Sequence, residues 1–156
     1  MHLGMKRETR LLGLDGCNPE HIVGVITRGG LYLDGVFAFE KYSKTATLAR
    51  KVTETKYFPE LRAIMTHGSK PSLDAGIIQR TTGLPVITVS PDGRLDSQGY
   101  KNISARNRPL RIKTSMLGAS LQDILSLTMI RGNLPEPVRI AHLLGKLSVW
   151  EIDHAR

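Results

Sequence analysis

The sequence is poor in cysteine and in aromatic residues. Its 156 residues include one cysteine, Cys17, and only 5% are aromatic. A lone cysteine cannot form an intramolecular disulfide, which excludes a small disulfide-stapled fold and favours a reducing, cytoplasmic setting. Because rings are so few, the core has to be aliphatic, and the 40% hydrophobic content is enough for a single domain.

Long apolar runs are also missing. No stretch reaches the roughly 18–20 consecutive apolar residues that a membrane-spanning helix needs. The first residues, MHLGMKRETR, contain no apolar segment of the kind found in signal peptides. These features predict a cytoplasmic protein without a membrane partner, formed by one domain over residues 1–156.

Acidic residues are scarce relative to basic ones. The chain has 22 Lys and Arg against 14 Asp and Glu, a net charge of +8. Such an excess indicates a surface for a polyanion, although a protein that is basic only for solubility shows it too. A stretch without acidic residues, 97–122, and an earlier loop supply the candidate nucleic-acid contacts. These are Lys70, Tyr100, Lys101, Arg106, Arg108, Arg111 and Lys113.

The apolar pattern predicts an α/β fold that begins with three strands. RLLGLD is a short buried strand, and HIVGVITR and LYLDGVFAFE form a hairpin through Gly29-Gly30. A helix, a strand, a second helix between Ser72 and Gly83, and the strand LPVITVS follow, so the sheet is mixed. Residues 91–109 have no periodicity and are predicted to be a basic, mobile loop. LRIKT, after that loop, is predicted to be a short edge strand.

The C-terminal stretch GNLPEPVRIAHLL combines two prolines with a helical pattern. Pro135 and Pro137 suit a first helical turn because proline has no N–H and its φ is already helical. Glu136 lies near the positive end of the helix dipole, and Arg139 can pair with it. Four residues at helical spacing predict a buried stripe: Ile140, Leu143, Leu144 and Leu147.

The same segment, LPEPVRIAHLL, with SLQDILSLTMIRGN before it, resembles the C-terminal signature of endonuclease V. It resembles still more the related archaeal domain-of-unknown-function family ninety-nine, which includes the deoxyuridine-specific endonuclease dU. LGLDG, VGVITRGG…LDGV, LRAIM…G and TGLPVITV follow in that family's order. The resemblance implies a ribonuclease-H-like fold, with a five-stranded mixed sheet, antiparallel first strands and helices on both faces. It also implies a DNA-repair nuclease that uses Mg²⁺ or Mn²⁺.

The resemblance assigns roles to several side chains. Asp15, at the end of the first strand, is the principal catalytic residue and metal ligand, although an Asp before Gly is also a common turn former. Asp74 matches a family aspartate and is the second expected ligand, or else an acid in the first turn of a helix. His67 is a candidate ligand or proton carrier, or a polar residue at a strand end. His142 is more typical of a half-buried helix residue than of a ligand.

Departures from the family pattern leave three functions open. Gly16 replaces a second acidic residue, and Lys44 and Thr45 stand where another is expected. The chain is therefore a divergent endonuclease acting on deaminated or deoxyuridine-containing DNA, or a degenerate relative that binds nucleic acid without cutting it. The third reading is a binder of a small phosphorylated metabolite, through the loop 68–72 before a helix. DNA is the expected partner, and the sequence leaves oligomer formation open.

Overall fold

The computed structural model describes residues 8–41, 44–68, 73–90 and 99–155, which form one seven-stranded sheet and four α-helices. The strands are β1 (Arg10–Asp15), β2 (His21–Arg28), β3 (Tyr32–Glu40), β4 (Leu61–His67), β5 (Val86–Ser90), β6 (Lys101–Ala105) and β7 (Arg108–Thr114). The helices are α1 (Thr45–Thr53), α2 (Ala75–Thr82), α3 (Gly118–Thr128) and α4 (Glu136–Ala155).

The sheet is mixed, as the sequence predicts. Its strand order is β3-β2-β1-β4-β5-β7-β6. The first three strands pair antiparallel, whereas β1, β4 and β5 run parallel. The carboxyl ends of these three parallel strands therefore meet at one edge of the sheet, where open α/β sheets commonly place their sites.

Helices cover both faces of the sheet because the buried strands are apolar on both sides. Leu11 of β1 belongs to the core beneath α3, whereas Leu12 and Leu14 belong to the core beneath α1 and α2. This alternation follows from the two-residue repeat of a strand. Leu48 and Val52 of α1, four residues apart and so on one side of the helix, are buried in this second core.

The second helix is capped differently from the prediction. Asp74, rather than Ser72, is the N-cap of α2, and its carboxylate accepts a hydrogen bond from the Ile77 N–H at 3.1 Å. Gly83 ends the helix in the left-handed conformation, with φ of 73°, as predicted.

The loop predicted over residues 91–109 is wrong in its second half. Residues 101–105 form β6, and β7 already begins at Arg108, so the sheet has seven strands rather than five. Arg106 and Asn107 make the turn with φ of 49° and 61°, an arrangement usually signalled by glycine. The β7 strand, predicted at the edge of the sheet, lies between β5 and β6, and β6 is the edge strand. Residues 91–98 lie outside the described residues.

The buried stripe predicted for α4 is confirmed for two of its residues and wrong for the other two. Ile140 and Leu144 are partly buried and pack against a core cluster that contains Ala141. Leu143 and Leu147 are 45% and 61% exposed, whereas Val138 and Ala141 are fully buried. The helix buries small side chains because its first turn lies directly on β1. A Cβ added to Gly13 would clash with the main-chain carbonyl of Pro137 and lie 2.8 Å from its Cβ. Across the described residues, no helix has the length and apolarity needed to cross a membrane.

Candidate metal centre

Asp15 is a buried carboxylate at the carboxyl end of the central strand β1. Only 1% of the residue is exposed. Its Oδ1 lies 3.0 Å from Nδ1 of His67 and 3.1 Å from Nδ1 of His142, and its Oδ2 accepts a hydrogen bond from the Cys17 N–H at 3.0 Å. An ionised carboxylate only accepts hydrogen bonds, so both imidazole nitrogens that face it carry their hydrogen.

These contacts keep Asp15 ionised despite its burial. Burial alone would raise the pKa of the carboxyl group. The hydrogen bonds from His67, Cys17 and His142 outweigh it and hold the pKa of Asp15 well below its usual value. The centre therefore carries a permanent negative charge that two imidazole rings face directly.

His67 ends β4, the parallel neighbour of β1. The strand register pairs Leu14 with Thr66, which places the next residue of each strand, Asp15 and His67, side by side. The His67 side chain is only 8% exposed. Its Nε2 atom is buried without a hydrogen-bond partner among the described residues, an uncommon state for a buried polar atom.

His142 reaches the same carboxylate from α4, 127 residues further along the chain. Its ring meets that of His67 edge to face, with 4.8 Å between the ring centroids. Glycine allows this close approach, since a Cβ added to Gly145 would lie 2.9 Å from the Cys17 sulfur and 3.4 Å from Asp15 Oδ2. His142 is the half-buried helix residue that the sequence predicts, and its contact with Asp15 makes it the third member of the site.

The loop between β1 and β2 is fastened on two sides. The Asn18 amide donates to the Gly145 carbonyl at 3.0 Å, and the Lys41 ammonium donates to the carbonyls of Gly16 and Asn18 at 2.8 and 2.6 Å. These bonds hold the loop that presents the Cys17 N–H to Asp15. Such supporting contacts orient ligands in metal sites.

Cys17 adjoins the centre as a neutral thiol. Burial raises the pKa of the thiol to about 12, and the neighbouring Asp15 carboxylate adds to the effect. The sulfur lies 3.7 Å from the His142 carbonyl oxygen, to which the S–H donates weakly. A protonated thiol is a poor metal ligand.

Asp15, His67 and His142 form a possible metal-binding group. Their candidate ligand atoms all lie within 4.8 Å of one another. Of the residues predicted from sequence, the structure thus brings together Asp15 and His67. Asp74 is outside this group and is an exposed helix cap. Lys70 lies outside the described residues, as does most of the loop 68–72.

Two of the predicted nucleic-acid contacts on the β6–β7 hairpin are engaged within the protein. The Arg106 and Arg108 guanidinium groups donate to main-chain carbonyls of Ser126 and Gly132, which fastens the turn of the hairpin. Arg106 also lines a cavity with Arg28 of β2.

The remaining members of that set lie on the outer strands. Arg111 and Lys113 alternate with buried Leu110 and Ile112 and so share the opposite face of β7. Lys101 is exposed on the edge strand β6. Tyr100 is half-buried, and burial raises the pKa of its hydroxyl.

The proline-rich motif forms the start of α4, as predicted. Glu136 is 4% exposed and pairs with the guanidinium of Arg139, whose second nitrogen lies 3.0 Å from the carboxylate. The Pro135 carbonyl accepts the first helical hydrogen bond, from the Arg139 N–H at 2.9 Å. Pro137 rests on Gly13 of β1. The motif thus fixes where α4 begins over β1, and with it the position of His142.

Comparison with known proteins gives the family. A UPF0215 protein of Methanopyrus kandleri is 32% identical over 180 residues, an alignment that covers 90% of this chain and 91% of that protein. The chain belongs to the UPF0215 family. A UPF0215 protein of Methanosarcina acetivorans is 30% identical, with the same coverage of both chains. The relatives of this UPF0215 protein are archaeal, and no family model matches its sequence.

Two solved structures share the fold of this UPF0215 protein. A protein of unknown function from Archaeoglobus fulgidus is 23% identical, with a TM-score of 0.68 over 90% of this chain and 98% of that one. Marinitoga piezophila Argonaute, in complex with 5' OH guide RNA, is 9% identical, with a TM-score of 0.56 over 90% of this chain and 30% of that one. At these identities the likeness is one of fold alone.

Proposed function

We propose that this UPF0215 protein is a metal-dependent endonuclease of ribonuclease-H-like fold that acts on DNA. One observation carries the proposal: a buried carboxylate at the end of the central strand, Asp15, shares one oxygen with two imidazoles, His67 and His142. The resemblance to endonuclease dU and endonuclease V suggests deaminated or deoxyuridine-containing DNA as the substrate. It also suggests Mg²⁺ or Mn²⁺ as the ion.

The fold supports this proposal. Antiparallel β3, β2 and β1 followed by parallel β4 and β5 agree with the mixed sheet and antiparallel first strands that the resemblance implies, with Asp15 on an inner strand. Argonaute, a protein solved with bound guide RNA, has a similar fold over 90% of this chain. Fold likeness does not by itself give function, so the chemistry of the site has to carry the argument.

The residues of the site are suited to hold a divalent ion. When bound there, such an ion supplies Lewis-acid polarisation of a phosphodiester. Asp15 supplies the negative charge, and its three hydrogen-bond donors keep the carboxylate in one orientation. Burial of Asp15 and His67 strengthens electrostatic interactions there relative to water.

A second candidate function is nucleic-acid binding without cleavage. The metal-binding group among the described residues contains a single carboxylate, whereas magnesium nucleases hold their ions with several oxygen ligands. A degenerate relative would keep the fold and the basic surface of this chain, whose net charge is +8. Its binding would weaken linearly as the logarithm of the salt concentration rises.

The test is cleavage of a labelled DNA duplex with one deoxyuridine, in Mg²⁺ or Mn²⁺ and with a chelator as control. Cutting by the wild-type protein that is lost in Asp15→Asn supports the endonuclease. Asp74→Asn is the matched control, because it makes the same carboxylate-to-amide change and asparagine still caps a helix. Salt-dependent binding without cutting in either ion would favour the degenerate relative. Cutting by Asp15→Asn at the wild-type rate would refute the site.

A further inference from the structure

We propose that Asp15, His67 and His142 select a first-row divalent transition-metal ion, such as Zn²⁺ or Co²⁺, in preference to Mg²⁺. The inference concerns the metal of the proposed active site, and binding of the ion does not require the nuclease to be active. It rests on the donor atoms, their spacing, and the contacts that hold Asp15.

The donor set does not suit magnesium. Mg²⁺ takes oxygen ligands in near-ideal octahedral geometry and retains several waters. Here two of the three donors are imidazole nitrogens, which suit zinc, iron, nickel and copper. Within the described residues, no second acidic side chain belongs to the group. The group therefore offers two nitrogen ligands and one carboxylate ligand.

Two of the donor spacings match those of ligands around one ion. Two ligands about 2.1 Å from an ion, at angles between 90° and 109°, lie about 3.0–3.4 Å apart. The Asp15 Oδ1 atom lies 3.0 and 3.1 Å from the two Nδ1 atoms. All three donors lie within 4.8 Å of one another, so the two imidazole rings close around the ion when it replaces the hydrogens that face Asp15. Three protein ligands would leave positions open, as in catalytic zinc sites.

The surroundings also fit a metal centre. The Asp15 Oδ2 atom is held by the Cys17 N–H, and Lys41 fastens that loop. Removal of contacts of this kind around a ligand set usually lowers metal affinity by about 10–100-fold.

The test measures metal binding directly, without nucleic acid. The full chain, expressed without a histidine tag and stripped with a chelator, is titrated calorimetrically with Zn²⁺, Co²⁺, Mn²⁺ and Mg²⁺. We expect one ion per chain, with Zn²⁺ and Co²⁺ bound on the order of 100-fold more tightly than Mg²⁺. Equal affinity for Mg²⁺, or no Zn²⁺ or Co²⁺ bound at the micromolar level, would overturn the inference.

Variants identify the ligands. His67→Gln and His142→Gln should each weaken Co²⁺ binding by about 10-fold or more. His21→Gln, which removes a histidine outside the group, should leave it unchanged. An equal loss in His21→Gln would show that the donors are different.

One measurement on the wild-type protein needs no variant and so does not depend on how the variants fold. Cu²⁺ bound at the same site should show hyperfine coupling to two imidazole nitrogens in electron paramagnetic resonance, and the absence of nitrogen coupling would overturn the inference. If a transition metal binds but no nucleic acid is cut, the nuclease proposal fails alone. If Mg²⁺ supports cutting and the transition metals do not bind, this inference fails alone.

Discussion

Gly13→Ala should loosen the contact between β1 and α4 and thereby disturb the candidate metal centre. The added methyl group would meet the Pro137 carbonyl and lie 2.8 Å from its Cβ, whereas carbon atoms prefer about 3.5–4.0 Å. The obstacle is main chain, which cannot rotate away as a side chain would. The start of α4 therefore has to move by about 1 Å, and overpacking of this kind costs about 1–3 kcal/mol in free energy of unfolding.

The same movement should carry His142 away from Asp15. Their contact is 3.1 Å, close to the roughly 3.2 Å limit of a good N–H···O hydrogen bond, so a further 1 Å breaks it. We expect Gly13→Ala to lower the free energy of unfolding, measured by urea denaturation, by about 2 kcal/mol. It should also lower the affinity for Co²⁺.

The matched control is the same substitution in α2. A Cβ on Gly76 meets only the flexible end of Arg80 at 3.3 Å and the Asp74 side chain at 3.3 Å. Because alanine is the better helix former, Gly76→Ala should raise stability by up to about 1 kcal/mol. A Gly13→Ala protein with wild-type stability and wild-type metal affinity would refute the idea that this contact positions α4.

Three further predictions concern the loop after β1, the charge of Asp15 and the outer strands. Lys41→Met removes both bonds that fasten the loop after β1, and should weaken Co²⁺ binding in calorimetry by about 10-fold; unchanged affinity would show that the loop does not support Asp15. The pKa of Asp15 is lower in the folded than in the unfolded chain, so its stabilising effect is complete above about pH 4 and is lost as the pH falls further. Asp15→Asn should therefore show a shallower loss of stability below about pH 4 in urea melts, and an acid limb as steep as that of the wild type would contradict this. If the outer strands bind nucleic acid, the double variant Lys101→Ala, Lys113→Ala should reduce the slope of log affinity against log salt concentration by about two. The Arg106 side chain is engaged with the Ser126 carbonyl, so Arg106→Ala should change this slope less.

Much of the central sheet could be predicted from sequence because its strands are short apolar runs separated by strong turn signals. Gly29-Gly30 marks the hairpin, and Gly83 ends α2 where the pattern indicates. The β6–β7 hairpin was missed because its turn is Arg106-Asn107, without glycine, and because much of β6 is exposed and polar. An edge strand lacks the apolar pattern that identifies a buried one.

Two of the three residues of the site could be predicted and the third could not. Asp15 and His67 end adjacent parallel strands, so their proximity follows from the order of the strands. His142 could not be found in that way, because its position depends on how α4 lies across β1. The helical spacing favoured the leucines as the buried face, but the contact of Gly13 with Pro137 brings the small residues of α4 inward. Asp74 was selected on resemblance, and a helix cap is also a common position for aspartate.

The central claim, that these three side chains act as one active site, is tested most directly through His142. The measurement is the single-turnover rate of cleavage of the deoxyuridine duplex at saturating protein and metal, for His142→Gln and for the control His21→Gln. We expect His142→Gln to be slower by about 100-fold or more and His21→Gln to match the wild type. A His142→Gln protein that cuts at the wild-type rate would contradict the account.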